Sequence, residues 1–186
     1  MFTKNEIRDL LVSMFVLTLI FSSFRLEIFV MTLFIVIIAF FSHEMSHKFV
    51  AQHYGCEAEY KMWPLGLLLG LITSLIPGGF VFAAPGAVYI SPYRKKFAFK
   101  IAHLTGRQYA IISLSGPLIN IALAISLVLL NYFYPLDIFS LTAHISFFLA
   151  FFNLLPIPPM DWSKIMAWNL KVWFLITAIA FIGMFL

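Results

Sequence analysis

Long apolar stretches recur through this chain at roughly 10–24, 28–52, 108–134, 138–155 and 168–186. Most come near the ~20 residues needed to cross the hydrocarbon core of a bilayer. Of the 186 residues 62% are hydrophobic, 22 of them Phe, and only 11% are charged, which lies far outside the soluble globular range. The chain therefore reads as an all-α polytopic membrane protein with five to six transmembrane helices. It forms one domain over 1–186, because no polar interval is long enough for a separate soluble unit. The first stretch follows Lys4, Glu6, Arg8 and Asp9 and has no small-residue cleavage site, so it reads as a retained span. Cys56 is the only cysteine, which excludes an intrachain disulfide and a cysteine-based metal cluster. A formal charge of +4 would suit nucleic acid in a soluble protein, but here it reports topology and predicts no nucleic-acid partner.

The densest basic segment, Arg94, Lys95, Lys96, Lys100 and Arg107, belongs on the cytoplasmic side by the positive-inside rule, as do Lys4 and Arg8. The stretch from Trp63 to Pro92 carries no charge, yet both its flanks are basic, so it is expected to dip into the membrane and return. Pro64, Gly66, Gly70, Pro77, Gly78 and Gly79 interrupt it, and Phe80 to Ile90 reads as two short β-prone runs around Ala84-Pro85-Gly86, a re-entrant β-like segment near 78–92. Non-helical backbone at that depth must be shielded by protein or line a wet cavity, which makes the segment a candidate wall of a site. A tight pair of short helices, or one full crossing, are the alternatives.

Inside the second apolar stretch stand His43, Glu44 and His47, spelling H-E-x-x-H. Four residues apart on a helix, both imidazoles lie on one face and can reach one Zn²⁺. Glu44 is offset by about 100°, within reach of a metal-bound water and suited to act as general base. In a soluble helix the pattern is often a solvated face, but ionisable groups inside a membrane span by default mark a functional site. At about 1.5 Å per residue from Ile28, His43 lies ~22 Å along the span, some ~8 Å short of the cytoplasmic edge of a ~30 Å core.

Zinc hydrolases take three protein ligands and leave one position open for water. His53 points away from the His43/His47 face on a continued helix and reads as interfacial. The better third ligand is Asp161, which follows a long apolar span just after Pro156, Pro158 and Pro159 break the helix; its alternative is an ordinary helix N-cap. Glu6, Asp9, Glu57 and Glu59 read as solvated. Asn153, in otherwise apolar helix, either holds substrate backbone or an oxyanion, or bridges helices. His144 reads as an interhelical hydrogen-bonding residue. Ser113, Ser115 and Gly116 suit close helix packing, with Pro117 as a possible kink.

These pieces resemble the site-2 protease family of intramembrane zinc metalloproteases. The matching segments are "HEMSH" at His43–His47, "FAAPGAV" at Phe82–Val88, "SGPLIN" at Ser115–Asn120 and "NLLPIPPMD" at Asn153–Asp161. The resemblance implies that His43, His47 and Asp161 hold one Zn²⁺ per chain and that Glu44 activates the water. It implies too that Asn153 and the segment containing Phe82, Ala83, Ala84, Pro85 and Gly86 bind an unwound transmembrane protein substrate. The chain departs from the family in reading Met160-Asp161-Trp162 where Leu-Asp-Gly is usual, and it looks like a minimal core without PDZ or CBS domains. The expectation is a multi-pass cell-membrane endopeptidase whose active site lies in the bilayer toward the cytoplasm. A pseudo-protease that binds membrane segments without cutting them is the alternative.

Overall fold

The computed structural model describes residues 2–76, 81–82, 84–91, 103–158 and 160–186. Expectations that rest on Pro77 to Phe80, Ala83, Pro92 to Ala102 and Pro159 lie outside the described residues. These include Ala83 as a substrate contact and the basic cluster Arg94 to Lys100.

The chain opens with α1 (Lys4–Phe21), capped by Thr3, whose side chain accepts from Glu6 N at 3.1 Å. Next come α2 (Phe29–Val36), a π-helical turn over Ile37–Phe41, and α3 (Ser42–His53), one continuous apolar run of 28 residues from Leu26. Strand β1 (Glu57–Met62) leads into α4 (Pro64–Ser74), and the chain returns as β2 (Gly86–Ser91). Helix α5 (Gly106–Phe133) starts from a capping box between Thr105 and Gln108, and α6 (Asp137–Leu154) packs along it. Two shorter helices, α7 (Trp162–Trp168) and α8 (Leu170–Gly183), complete the chain.

Among the described residues three helical stretches are long and apolar enough to cross a membrane: Leu26–His53, Gly106–Phe133 and Asp137–Leu154. The first and last of the expected spans, at 10–24 and 168–186, do not join them. Helix α1 carries Lys4, Glu6, Arg8 and Asp9 in its first turns, and α8 has only 14 residues.

Of the two short β-prone runs expected around Ala84-Pro85-Gly86, the second is a strand, and it pairs elsewhere in the chain. β2 pairs antiparallel with β1, from Glu57 opposite Ser91 to Met62 opposite Gly86, a partner strand for which the sequence carries no expectation beyond a solvated Glu57 and Glu59. Val81, Phe82, Ala84 and Pro85 are in neither strand nor helix. Pro85 has no N–H to give a ladder, and its carbonyl instead accepts from Trp63 N at 2.8 Å. The strand must start on a glycine: a Cβ at Gly86 would lie 2.4 Å from both Lys61 O and Tyr60 Oη. Because the ladder brings the two ends of the 63–85 segment side by side, α4 leaves from and returns to one place.

Glu6 and Asp9, expected to be solvated, are buried. The Glu6 carboxylate receives Lys48 Nζ of α3 at 2.5 and 2.6 Å and Tyr60 N of β1 at 3.0 Å, while Asp9 accepts Met62 N at 3.3 Å. Tyr60, wholly buried between them, donates from its hydroxyl to Ser13 Oγ at 2.8 Å, and burial pushes its phenol up so that it keeps the proton. The first acids of the chain thus tie α1, α3 and the hairpin together. A buried lysine needs a paired carboxylate, and Glu6 supplies it to Lys48. His144 is exposed on α6 and forms no hydrogen bond to a neighbouring helix among the described residues.

Candidate metal centre

The π turn at Ile37–Phe41 stands immediately before the H-E-x-x-H turn and widens the helix by one residue, a device often found beside functional sites. On α3, His43 and His47 then face the same way, their ring centroids 4.8 Å apart and their Nε2 atoms 3.1 Å apart. Both are buried, as is Glu44.

Asp161 arrives from the far end of the sequence. Helix α6 stops at Leu154, Leu155 turns extended, and short bonds from Ile157 N to Leu155 O (2.7 Å) and Met160 N to Ile157 O (3.1 Å) curl the proline-rich loop inward. Asp161 occupies the cap position of α7, but its side chain makes no cap hydrogen bond. Its Oδ2 instead lies 3.4 Å from His43 Nε2 and 3.1 Å from His47 Nε2. The carboxylate points at the histidines and makes no cap bond, and the three residues form a group that could hold a metal ion.

The donor set fits zinc. Ligands of a tetrahedral ion bound at about 2.0–2.1 Å stand about 3.3 Å from one another, close to the triangle seen here. Both imidazoles are also held from behind, as metal-binding histidines are. His47 donates from Nδ1 to Ile112 O at 2.7 Å, which leaves the Nε2 lone pair free; Ser115 Oγ donates to the same carbonyl at 2.7 Å. The Asn120 amide lies 3.2 Å from His43 Nδ1 with its Oδ1 otherwise unpartnered; turned toward the ring, that oxygen accepts the Nδ1 proton. Gly116, between them on α5, has the imidazoles where its side chain would be: a Cβ there would sit 2.3 Å from His47 Nε2 and 2.6 Å from His43 Nε2. One polar atom remains unused. Glu44 Oε2 is buried and has no hydrogen-bond partner, which a water on the ion would supply.

The three ligand candidates and Glu44 line a cavity of about 60 Å³, together with Asn153, Lys164 and the strand residues Gly86, Ala87, Val88 and Ile90. Asn153 donates to Leu149 O of its own helix at 2.9 Å, so its recorded bond bridges no helices and its side chain stays beside the cavity. Of the other expected substrate contacts, Gly86 lines the cavity. Phe82 packs its ring edge-on against Trp63 and Phe152, Ala84 is buried with its carbonyl against Gly66, and Pro85 closes the base of the hairpin. His53 is exposed. Trp162, where the resembling family has glycine, begins α7 and packs on the cluster around Leu149 and Phe152. Among the described residues only Ser23 and Phe24 combine a side chain with positive φ, so the backbone at 162 makes no demand for glycine.

Sequence reasoning assigned the Ser113–Pro117 segment to packing and gave Asn120 no role of its own. A lone amide four residues after Gly116, in an otherwise apolar helix, was the available signal. Lys164 carried none, whereas Ala87, Val88 and Ile90 fall inside the segment expected to form a wall of the site.

Comparison with known proteins agrees with this chemistry. No family model matches the chain, and no solved structure matches it. A protein of Methanocaldococcus jannaschii named "Putative zinc metalloprotease MJ0611" is 40% identical over 181 residues, covering 92% of this chain and 88% of that protein. A Bacillus subtilis protein, "Putative zinc metalloprotease YwhC", is 30% identical over 150 residues, 69% of this chain and 64% of its own length. With 40% identity across nearly the whole of this chain and of the Methanocaldococcus jannaschii protein, and with two histidines, an aspartate and an unpartnered glutamate gathered in one buried cavity, the chain belongs to the zinc metalloprotease family of these proteins.

Proposed function

We propose that this protein is an intramembrane zinc endopeptidase of the site-2 type, which hydrolyses peptide bonds of transmembrane or membrane-anchored proteins. The observation that carries the reading is the His43–His47–Asp161 triangle, with Glu44 beside it, built on a 28-residue helix apolar enough to cross a membrane. Bound there, zinc would lower the pKa of a water and polarise the scissile carbonyl. Glu44, whose Oε2 has no other partner among the described residues, would serve as the general base for the attacking water and then as the acid for the leaving amine. Ile112 O and Asn120 keep the two imidazoles in the tautomer that presents Nε2, and Asn153 lies where it can hold the substrate backbone.

The β2 edge away from β1 has no partner strand among the described residues, and its residues line the cavity. A helical substrate hides its amides and carbonyls, so it must be extended before attack, and strand addition on this edge supplies the bonds it loses. The short α4, about 16 Å long at 1.5 Å per residue, and its return to the same hairpin support a re-entrant segment. The basic residues of the sequence support a cytoplasmic opening, with the protein in the cell membrane as a multi-pass species.

The test is zinc content and cleavage measured together on detergent-purified protein. Wild type should carry about one zinc per chain and cut a transmembrane substrate; Asp161→Ala should lose most of the metal under the same chelator wash. Glu44→Gln should keep the zinc and lose cleavage by at least ~100-fold, the lower end of what a general base contributes. Zinc without cleavage in wild type would instead support a pseudo-protease that holds membrane segments.

A further inference from the structure

Beside the metal cavity lies a second and larger one of about 280 Å³, formed by Trp63, Tyr89 and Pro158 with Lys61 at its edge, and the two share Gly86 and Ala87 as a common floor. Their opposite walls also come from one loop, which supplies Asp161 to the first and Pro158 to the second. A strand laid along the open edge of β2 therefore runs past both.

Side chains of a strand alternate between its faces, and an added strand alternates in step with its partner. Val88 and Ile90 point inward, packing with Ala51, Cys56 and Ile112 and lining the metal cavity. Tyr89 points the other way and is 61% exposed. Successive residues of an added strand thus meet a small polar cavity on one face and a wide, mainly apolar groove on the other. The groove is aromatic-walled, and among the described residues its one charge is a cation: Lys61 Nζ lies 5.2 Å from the centre of the Tyr89 ring.

Resting on the endopeptidase reading, we propose that this groove is a specificity subsite that takes a bulky apolar side chain of the substrate, adjacent in sequence to a small residue placed at the metal. Phe, Leu or Trp fills it, whereas a basic side chain is repelled by Lys61 and desolvated against Trp63.

The experiment uses full-length Glu44→Gln protein, zinc-loaded in detergent, and fluorescently labelled Ala/Ser decapeptides carrying one Phe at each position in turn, with Lys and Ala controls. Binding is read by anisotropy. At one position Phe should tighten binding at least ~10-fold over Ala, the discrimination apolar subsites give, and Lys should weaken it. Trp63→Ala and Tyr89→Ala should each flatten that difference with zinc content unchanged; Tyr89 is exposed, so its variant tests the groove even if Trp63→Ala folds poorly. A flat profile, including no binding by any peptide, or a preference that survives both variants, overturns the proposal. A flat profile with Trp63 fluorescence quenched by brominated acyl chains, the quenching lost in Trp63→Phe, identifies a lipid as the occupant and overturns it too. Wild-type cleavage is followed in parallel. Preference in binding without any cutting would defeat the endopeptidase reading and keep the subsite; cutting without preference would defeat the subsite alone.

Discussion

The metal centre and the β1–β2 hairpin face each other across one small cavity, yet they are held in opposite ways. The centre is built from helices, and its ligands are fixed by short side-chain contacts: Ile112 O and Asn120 behind the imidazoles, Gly116 yielding them space. The hairpin instead has its backbone held by side chains that reach it from a helix. It is anchored from beneath by acids of α1, Glu6 to Tyr60 N and Asp9 to Met62 N, with Lys48 neutralising Glu6. The first arrangement sets atoms for chemistry, and the second sets the height of an edge that can receive a strand. If the division is real, damage on one side should spare the other.

The sharpest break is Gly116→Ala. In a helix interior this change normally stabilises by about 1 kcal/mol. Here the new methyl occupies the Nε2 positions of His43 and His47, and the rings can escape only by abandoning the triangle. The expected variant is folded, with thermal stability of the metal-free protein equal to wild type or better, yet it holds almost no zinc and does not cut. Retention of a full zinc complement would show that α5 does not position the ligands.

Next in size is Glu6→Ala, which leaves Lys48 buried and unpaired. Breaking a buried pair from one side costs about 3–5 kcal/mol, so the unfolding midpoint in detergent should fall strongly. Replacing both partners with apolar residues, Glu6→Leu with Lys48→Met, should restore much of that loss. Zinc binding in the double variant should match wild type if the hairpin anchor and the centre are separate.

The same contrast explains what could be read from the residues alone. His43, Glu44 and His47 are local, four residues apart on one helix, so their geometry follows from helical periodicity. Asp161 is distant, but the prolines before it advertised a bent loop after an apolar helix. The strand β1 left no comparable trace. Glu57 to Met62 is charged and short, and it becomes a strand because β2 and the acids of α1 satisfy its backbone, contacts that span 54 residues from Glu6 to Tyr60. Glu6 and Asp9 were read as solvated for the same reason: their charge is visible in the sequence, and their partners Lys48, Tyr60 N and Met62 N are not.

A finer probe of the centre is Asn120→Ala. Removing the group behind a metal-bound histidine typically lowers metal affinity 10–100-fold. His43 would stay in place while its tautomer is no longer fixed, so zinc affinity measured by chelator competition should fall within that range, with the unfolding midpoint of the metal-free protein little changed. A drop in stability without a drop in affinity would make Asn120 a packing residue.

The smallest expected effect tests the hairpin side from its outermost contact. Thr3 caps α1 through Glu6 N, and its hydroxyl also meets the Glu59 carboxylate of β1. Losing an N-cap threonine costs about 1 kcal/mol, and the Glu59 contact, at an exposed site, adds little. Thr3→Ala should therefore lower the unfolding midpoint slightly and leave zinc content and cleavage as they were, because Glu6 keeps Lys48 and Tyr60 N. Should cleavage fall while zinc stays bound, the height of the β2 edge would depend on the whole length of the α1 contact, down to its cap, and the buried Glu6–Lys48 pair alone would not be enough to set it.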